Sequence, residues 1–99
     1  MKELPLPDGA AEDDDAQEMA RIWVTREDLL VSLNVGCYGN DPGETTAWGD
    51  ILADTIKHLS NAISKRLDVS PIKAQEEIMA RCSQALAAYK KEFSGKLKP

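Results

Sequence analysis

The 99-residue sequence predicts an α+β fold: an N-terminal arm, an antiparallel β-hairpin, then an antiparallel pair of long α-helices, the hairpin packed on the helices in two layers. Three observations predict it. Residues 21–35 alternate apolar and polar side chains with the period of a strand. Residues 42–67 and 71–94 carry apolar side chains at helical spacing. The link between those two stretches, Asp68-Val69-Ser70, is too short for anything but a helical hairpin.

The first strand is read from RIWVT, rich in β-branched and aromatic residues. In the second, Leu29, Val31, Leu33 and Val35 share one face, and Leu30, Ser32 and Asn34 the other. Arg26-Glu27-Asp28 form a short charged connection. Ile22 and Val24 lie on one face of the first strand. Trp23 lies on the other, exposed in a lone chain unless the arm covers it. A bare two-stranded hairpin is barely stable in water, and its unpaired edges invite a partner.

The first helix opens on Asp41-Pro42-Gly43-Glu44, which reads as a capping box: Asp41 as cap, Pro42 in the first turn and Glu44 three residues after the cap. Trp48, Ile51, Leu52, Thr55, Ile56, Leu59, Ala62 and Ile63 form its apolar stripe. Ser70 caps the second helix, Pro71 occupies its first turn and Gly95 stops it after Ser94. Its stripe is Ile78, Met79, Cys82, Ala85, Leu86, Tyr89 and Phe93, with Cys82 read as a small core residue.

Residues 1–18 read as a flexible acidic arm, 19–94 as a single α+β domain and 95–99 as a basic tail. The arm holds one lysine against seven acids, a net −6, while the other residues sum to +1. Leu4 and Leu6 could pin it in extended form. Its consecutive aspartates lack the alternation and glycine of a calcium loop. The near-neutral body offers no basic surface for nucleic acid. Lys90, Lys91, Lys96 and Lys98 suit a helix C-terminus, where cations meet the dipole. No apolar stretch approaches the roughly 20 residues of a membrane span, and the N-terminus lacks an apolar signal region. Two cysteines, Cys37 and Cys82, make neither a disulfide framework nor a zinc site. The expected setting is cytoplasmic, with both thiols reduced.

The glycine-rich run GCYGNDPGETTAWGD, residues 36–50, has the layout of a phosphate loop but not its chemistry. Glu44 stands where a Walker lysine belongs, and Asp41 adds a second negative charge. The glycines are expected to serve special backbone angles. Gly49, beside Trp48, is expected to let another backbone approach, with Trp48 packed in the core. Asp50, Asp54 and His58 recur every four residues and are the candidate metal ligands or general-base pair, though a solvated helix face also places acids at this spacing. A Cys37 nucleophile would need the single histidine as base, and no triad is evident.

Glu18 with Arg21-Ile22-Trp23, Val31-Ser32-Leu33, and Ala47-Trp48-Gly49 with Leu52, Asp54, His58 and Asn61-Ala62 resemble a family of small bacterial proteins, domain of unknown function 5076. The similarity spans residues 4–65. It implies a small α+β fold in an intracellular bacterial protein; the family has no assigned activity, cofactor or catalytic residue to carry over. The Asp13–Asp15 run and the expanded loop before Trp48 depart from the family's pattern.

These residues predict a non-enzymatic, homodimeric interaction or regulatory domain with no catalytic residues, no cofactor and no nucleic-acid or membrane partner. Trp23, Leu30 and Ser32 are its interface candidates. The alternative is a small-molecule or metal-binding module, enzymatic or not, at the edge formed by Asp54, His58 and Trp48.

Overall fold

The computed structural model describes residues 1–40 and 43–96, with side chains described to residue 88. The architecture is α+β, in the order β1 (Ala20–Val24), β2 (Leu29–Leu33), α1 (Gly43–Leu67), α2 (Pro71–Lys96). The chain forms two compact units, residues 1–44 and 45–99. Asp41 and Pro42, expected to open α1, lie outside the described residues. So do the side chains of Tyr89, Lys90, Lys91, Phe93 and Lys96, and all of Lys98.

In the first unit the arm folds into successive tight turns. Backbone bonds run from Ala10 N to Pro7 O, Asp13 N to Ala10 O and Ala16 N to Asp13 O. Asp13 Oδ1 accepts from Asp15 N at 2.8 Å, the local side-chain turn that aspartate favours. Leu4 and Leu6, expected to pin the arm, are both exposed. The tie is ionic instead: Arg21 Nη1 meets Glu3 Oε2 at 3.1 Å and Nη2 meets Glu18 Oε1 at 3.0 Å. Arg21 and Trp23 share a face of β1, so this tie anchors Glu3 on the Trp23 side. Trp23 is half-buried rather than exposed.

The strands pair antiparallel, with Ala20 opposite Leu33, Ile22 opposite Val31 and Val24 opposite Leu29. The register continues into the turn. Thr25 N donates to Asp28 O at 2.8 Å, and the Thr25 hydroxyl both donates to Asp28 O and accepts from Asp28 N. Asp68 is the only non-glycine with positive φ among the described residues, so Arg26-Glu27 is not the primed turn that fits strand twist best. The threonine hydroxyl, rather than its carbonyl, receives the Asp28 amide. At the open end, Asn34 N donates to Met19 O at 2.8 Å, extending the ladder.

In the second unit, α1 ends at Leu67 and Asp68 adopts φ +57°. A residue in the left-handed region commonly ends a helix, and aspartate tolerates it better than most. Ser64 Oγ donates to Val69 O, closing the link. Ser70 caps α2 as expected: its Oγ accepts from Lys73 N at 3.0 Å and its carbonyl from Ala74 N. Among the described residues the buried ones are small, Ser60 (2% exposed) and Ala74 (3%). Small side chains let backbones approach closely. Ile56, Ile63, Val69 and Ile78 are half-buried around them. Beyond Ile78 the described α2 side chains are exposed, so Cys82 is a surface thiol and not the core residue the sequence predicts. The helix also passes through Gly95 to Lys96, because a glycine lowers helix propensity without forbidding the conformation.

Candidate functional site

The glycine-rich loop leads from β2 into α1. Gly36 has φ +113° and Gly39 φ +82°, angles that resist a side chain. Gly43 is required for a different reason. A Cβ there would lie 2.6 Å from the Tyr38 carbonyl oxygen. The close backbone approach expected at Gly49 is therefore at Gly43; a Cβ on Gly49 would meet open space.

Glu44 closes this loop from within. Its Oε1 accepts from Gly36 N at 2.8 Å and its Oε2 from Tyr38 N at 3.0 Å. The sequence predicts Glu44 as part of the helix's own capping box. The structure shows its carboxylate also serving loop amides six and eight residues earlier; the cap residue Asp41 lies outside the described residues. Converging backbone N–H groups are what phosphate loops use to hold an anion. Here the anion is the protein's own side chain, which excludes a phosphate on both space and charge.

The Asp50, Asp54, His58 series lies on α1. His58 Nε2 and Asp54 Oδ2 are 3.2 Å apart, joining two of the three candidates. The two side chains are 78% and 68% exposed, and among the described residues no three potential ligands gather for a metal. Trp48 is half-buried. At 100° per residue it lies about 120° round the helix from Asp54, so one face does not present all three edge residues. An exposed carboxylate–imidazole pair without an enclosing pocket can form an i,i+4 helix contact. It lacks the dry, shaped surroundings that catalytic groups use.

Cys37 is exposed. It borders an open depression of about 360 Å³ with Asp15, Gln17, Met19 and Tyr38. A second depression of about 360 Å³ lies at the open end of the hairpin, lined by Glu18, Arg21, Ser32 and Asn34 among others. Its charged groups are already engaged with one another. The Glu18 hydrogen bond and charge, then the Glu3 charge, raise the Arg21 guanidinium above its ordinary range. Neither depression presents an uncommitted charge cluster.

The hairpin has the most distinctive surface. Opposed residues share a face, so the register gathers Ala20, Ile22, Val24, Leu29, Val31 and Leu33 on one side. That face holds no polar side chain, and its five large members are 50–79% exposed. The other face carries Arg21, Trp23, Leu30 and Ser32, the expected interface residues among them. There Trp23 is half-buried while Leu30 and Ser32 are exposed. Sequence alternation places both sets correctly. It does not show that the arm's anchor is on the Trp23 side, which depends on the 18-residue reach from Glu3 to Arg21.

The comparisons with known proteins bear on this surface through the fold. A family model described as domain of unknown function (DUF5076) matches residues 3–90. The chain belongs to this family. No curated protein matches the chain. Among solved structures, one described as "a putative pyruvate dehydrogenase from the photosynthetic bacterium Rhodopseudomonas palustrus CGA009" is similar, with a TM-score of 0.66 at 24% identity. The match covers 87% of this chain and 83% of that one. At that identity the likeness carries the fold alone, not the activity in the description. DUF5076 membership likewise brings no assigned chemistry. What the DUF5076 chain offers is its own surface: an apolar hairpin face, an internally closed loop, and an exposed Asp54–His58 pair. Among the described residues, no helix is long and apolar enough to cross a membrane.

Proposed function

We propose that this chain is a non-enzymatic interaction domain that works as a homodimer built on its β-hairpin, in the cytoplasm. The observation that carries the reading is the hairpin face of Ile22, Val24, Leu29, Val31 and Leu33, which is apolar throughout and at least half exposed in the single chain. Contiguous exposed apolar surface marks interaction sites. A domain of this size also buries a more modest fraction of its surface than a larger one, so burial against a second copy adds to its stability. Charge supports a protein partner over nucleic acid: residues 1–44 hold three bases against eleven acids, and phosphate backbones select basic surfaces. The exposed Asp54–His58 pair and the self-filled loop give an enzymatic reading no enclosed site to work in.

Light scattering on the wild-type chain and on Val31→Lys tests the reading. The wild type is expected at twice its 10.9 kDa chain mass. Val31→Lys, a charge in the centre of the apolar face, is expected at the chain mass. A wild type that stays at the chain mass across all accessible concentrations overturns the homodimer.

A further inference from the structure

Deepening that reading, on which it rests, we infer that the second copy joins along the outer edge of β2, making a four-stranded antiparallel sheet in the order β1-β2-β2-β1 with Val31 on the two-fold axis.

The backbone geometry carries this. Bonds at Asn34 N to Met19 O and Thr25 N to Asp28 O fix the parity of the ladder. Bonded pairs in an antiparallel ladder alternate. Residues 28, 30, 32 and 34 therefore point their backbone groups at β1, and Leu29, Val31 and Leu33 point theirs outward. Among the described residues, no hydrogen bond reaches the backbone of those three.

A two-fold partner must present the same patch. Centred on Val31, antiparallel β2 strands set Leu29 opposite the partner copy's Leu33 and Val31 opposite its counterpart. Each of the three opposed pairs joins two outward-facing residues, so all the outward N–H and C=O groups of both strands are satisfied at once. Moving the axis to Leu30 or Ser32 leaves some of them unpaired. The register also keeps the two apolar faces on one side, where a one-residue slip would reverse them.

The charges agree. The charged turn does not meet its own kind: Asp28 falls opposite Asn34, Glu27 opposite Val35 and Arg26 opposite Gly36 of the other copy. Strand β2 itself has no charge, no proline and no bulge, the devices that natural edges use against pairing. Strand β1 holds Arg21 and continues into the net −6 arm. Pairing through β1 would bring the arm of each copy beside Glu27 and Asp28 of the other, like charge against like.

Val31→Pro tests the edge directly. The Val31 N–H faces outward, so proline there spares the intramolecular ladder and is tolerated as on other edge strands. It removes the two central bonds between copies, and dimer affinity is expected to fall about 10- to 100-fold. Val31→Cys, in a Cys37→Ser, Cys82→Ser background, gives a second readout that leaves the backbone intact. Facing Cα atoms in a bonded antiparallel pair lie about 5.5 Å apart, within disulfide range. Mild oxidation is expected to link Val31→Cys chains and to leave Ile22→Cys chains unlinked. If the wild type is dimeric but Ile22→Cys links and Val31→Cys does not, or Val31→Pro keeps full affinity, the β2 edge is wrong while the homodimer stands. A monomeric wild type instead removes the homodimer itself.

Discussion

The two units of this chain finish their backbones differently. In the second unit each helix meets its interior hydrogen bonds itself; among the described residues the positive φ of Asp68 ends α1 and the Ser70 hydroxyl caps the start of α2. In residues 1–44 the β-hairpin satisfies only one side of each strand, and the loop after it needs a carboxylate from the start of α1. They also differ in charge: the first unit carries three bases against eleven acids, the second nine against six. A helix is a closed hydrogen-bonding object and a two-stranded sheet is not. The unit that leaves its backbone open is therefore where a partner is expected.

Breaking the helical unit should have the largest effect. Ala74 is 3% exposed beside the link, and Ala74→Leu forces three extra carbons into that space. Overpacking of this kind costs about 1–3 kcal/mol. Thermal unfolding followed by circular dichroism should show the midpoint falling by several degrees. An unchanged midpoint would mean that the small residues there do not hold the helices together.

A smaller and more local effect is expected from Glu44→Ala. The variant leaves the Gly36 and Tyr38 amides without their carboxylate, at a cost of about 1–3 kcal/mol if nothing replaces it, and water can take up part of that in a loop at the surface. NMR should show faster exchange of those two amides while the α2 amides keep their protection. Equal acceleration throughout the chain would mean that the loop and the helical unit are not separable.

These differences also decide what could be read in the sequence. The hairpin, the helix breaks and the Ser70-Pro71 start were legible because their signals act within four residues. The Glu44 contact was not. A glutamate three residues after a cap reads as a capping box, and the loop path through Gly36 and Gly39 that also brings two earlier amides to it has no local signature. The tie from Glu3 to Arg21 was hidden for a similar reason, being an 18-residue separation with no periodic signature. Cys82 fits the helical stripe, yet periodicity reports which residues share a face and not how far along a helix that face is covered. Of the candidate site, the sequence placed Asp54 and His58 in reach of each other. It could not show that they stand in open solvent.

The central claim is that the outward backbone of β2 is left for a second copy. Amide hydrogen exchange at Leu29, Val31 and Leu33, measured across a dilution series of the unmodified protein, tests it most directly. Pairing between copies predicts slow exchange at high concentration that becomes fast on dilution, while the inward amides of Leu30 and Ser32 keep their protection longer. Exchange of Leu29, Val31 and Leu33 that is fast at every concentration, or equally slow at every concentration, would contradict it.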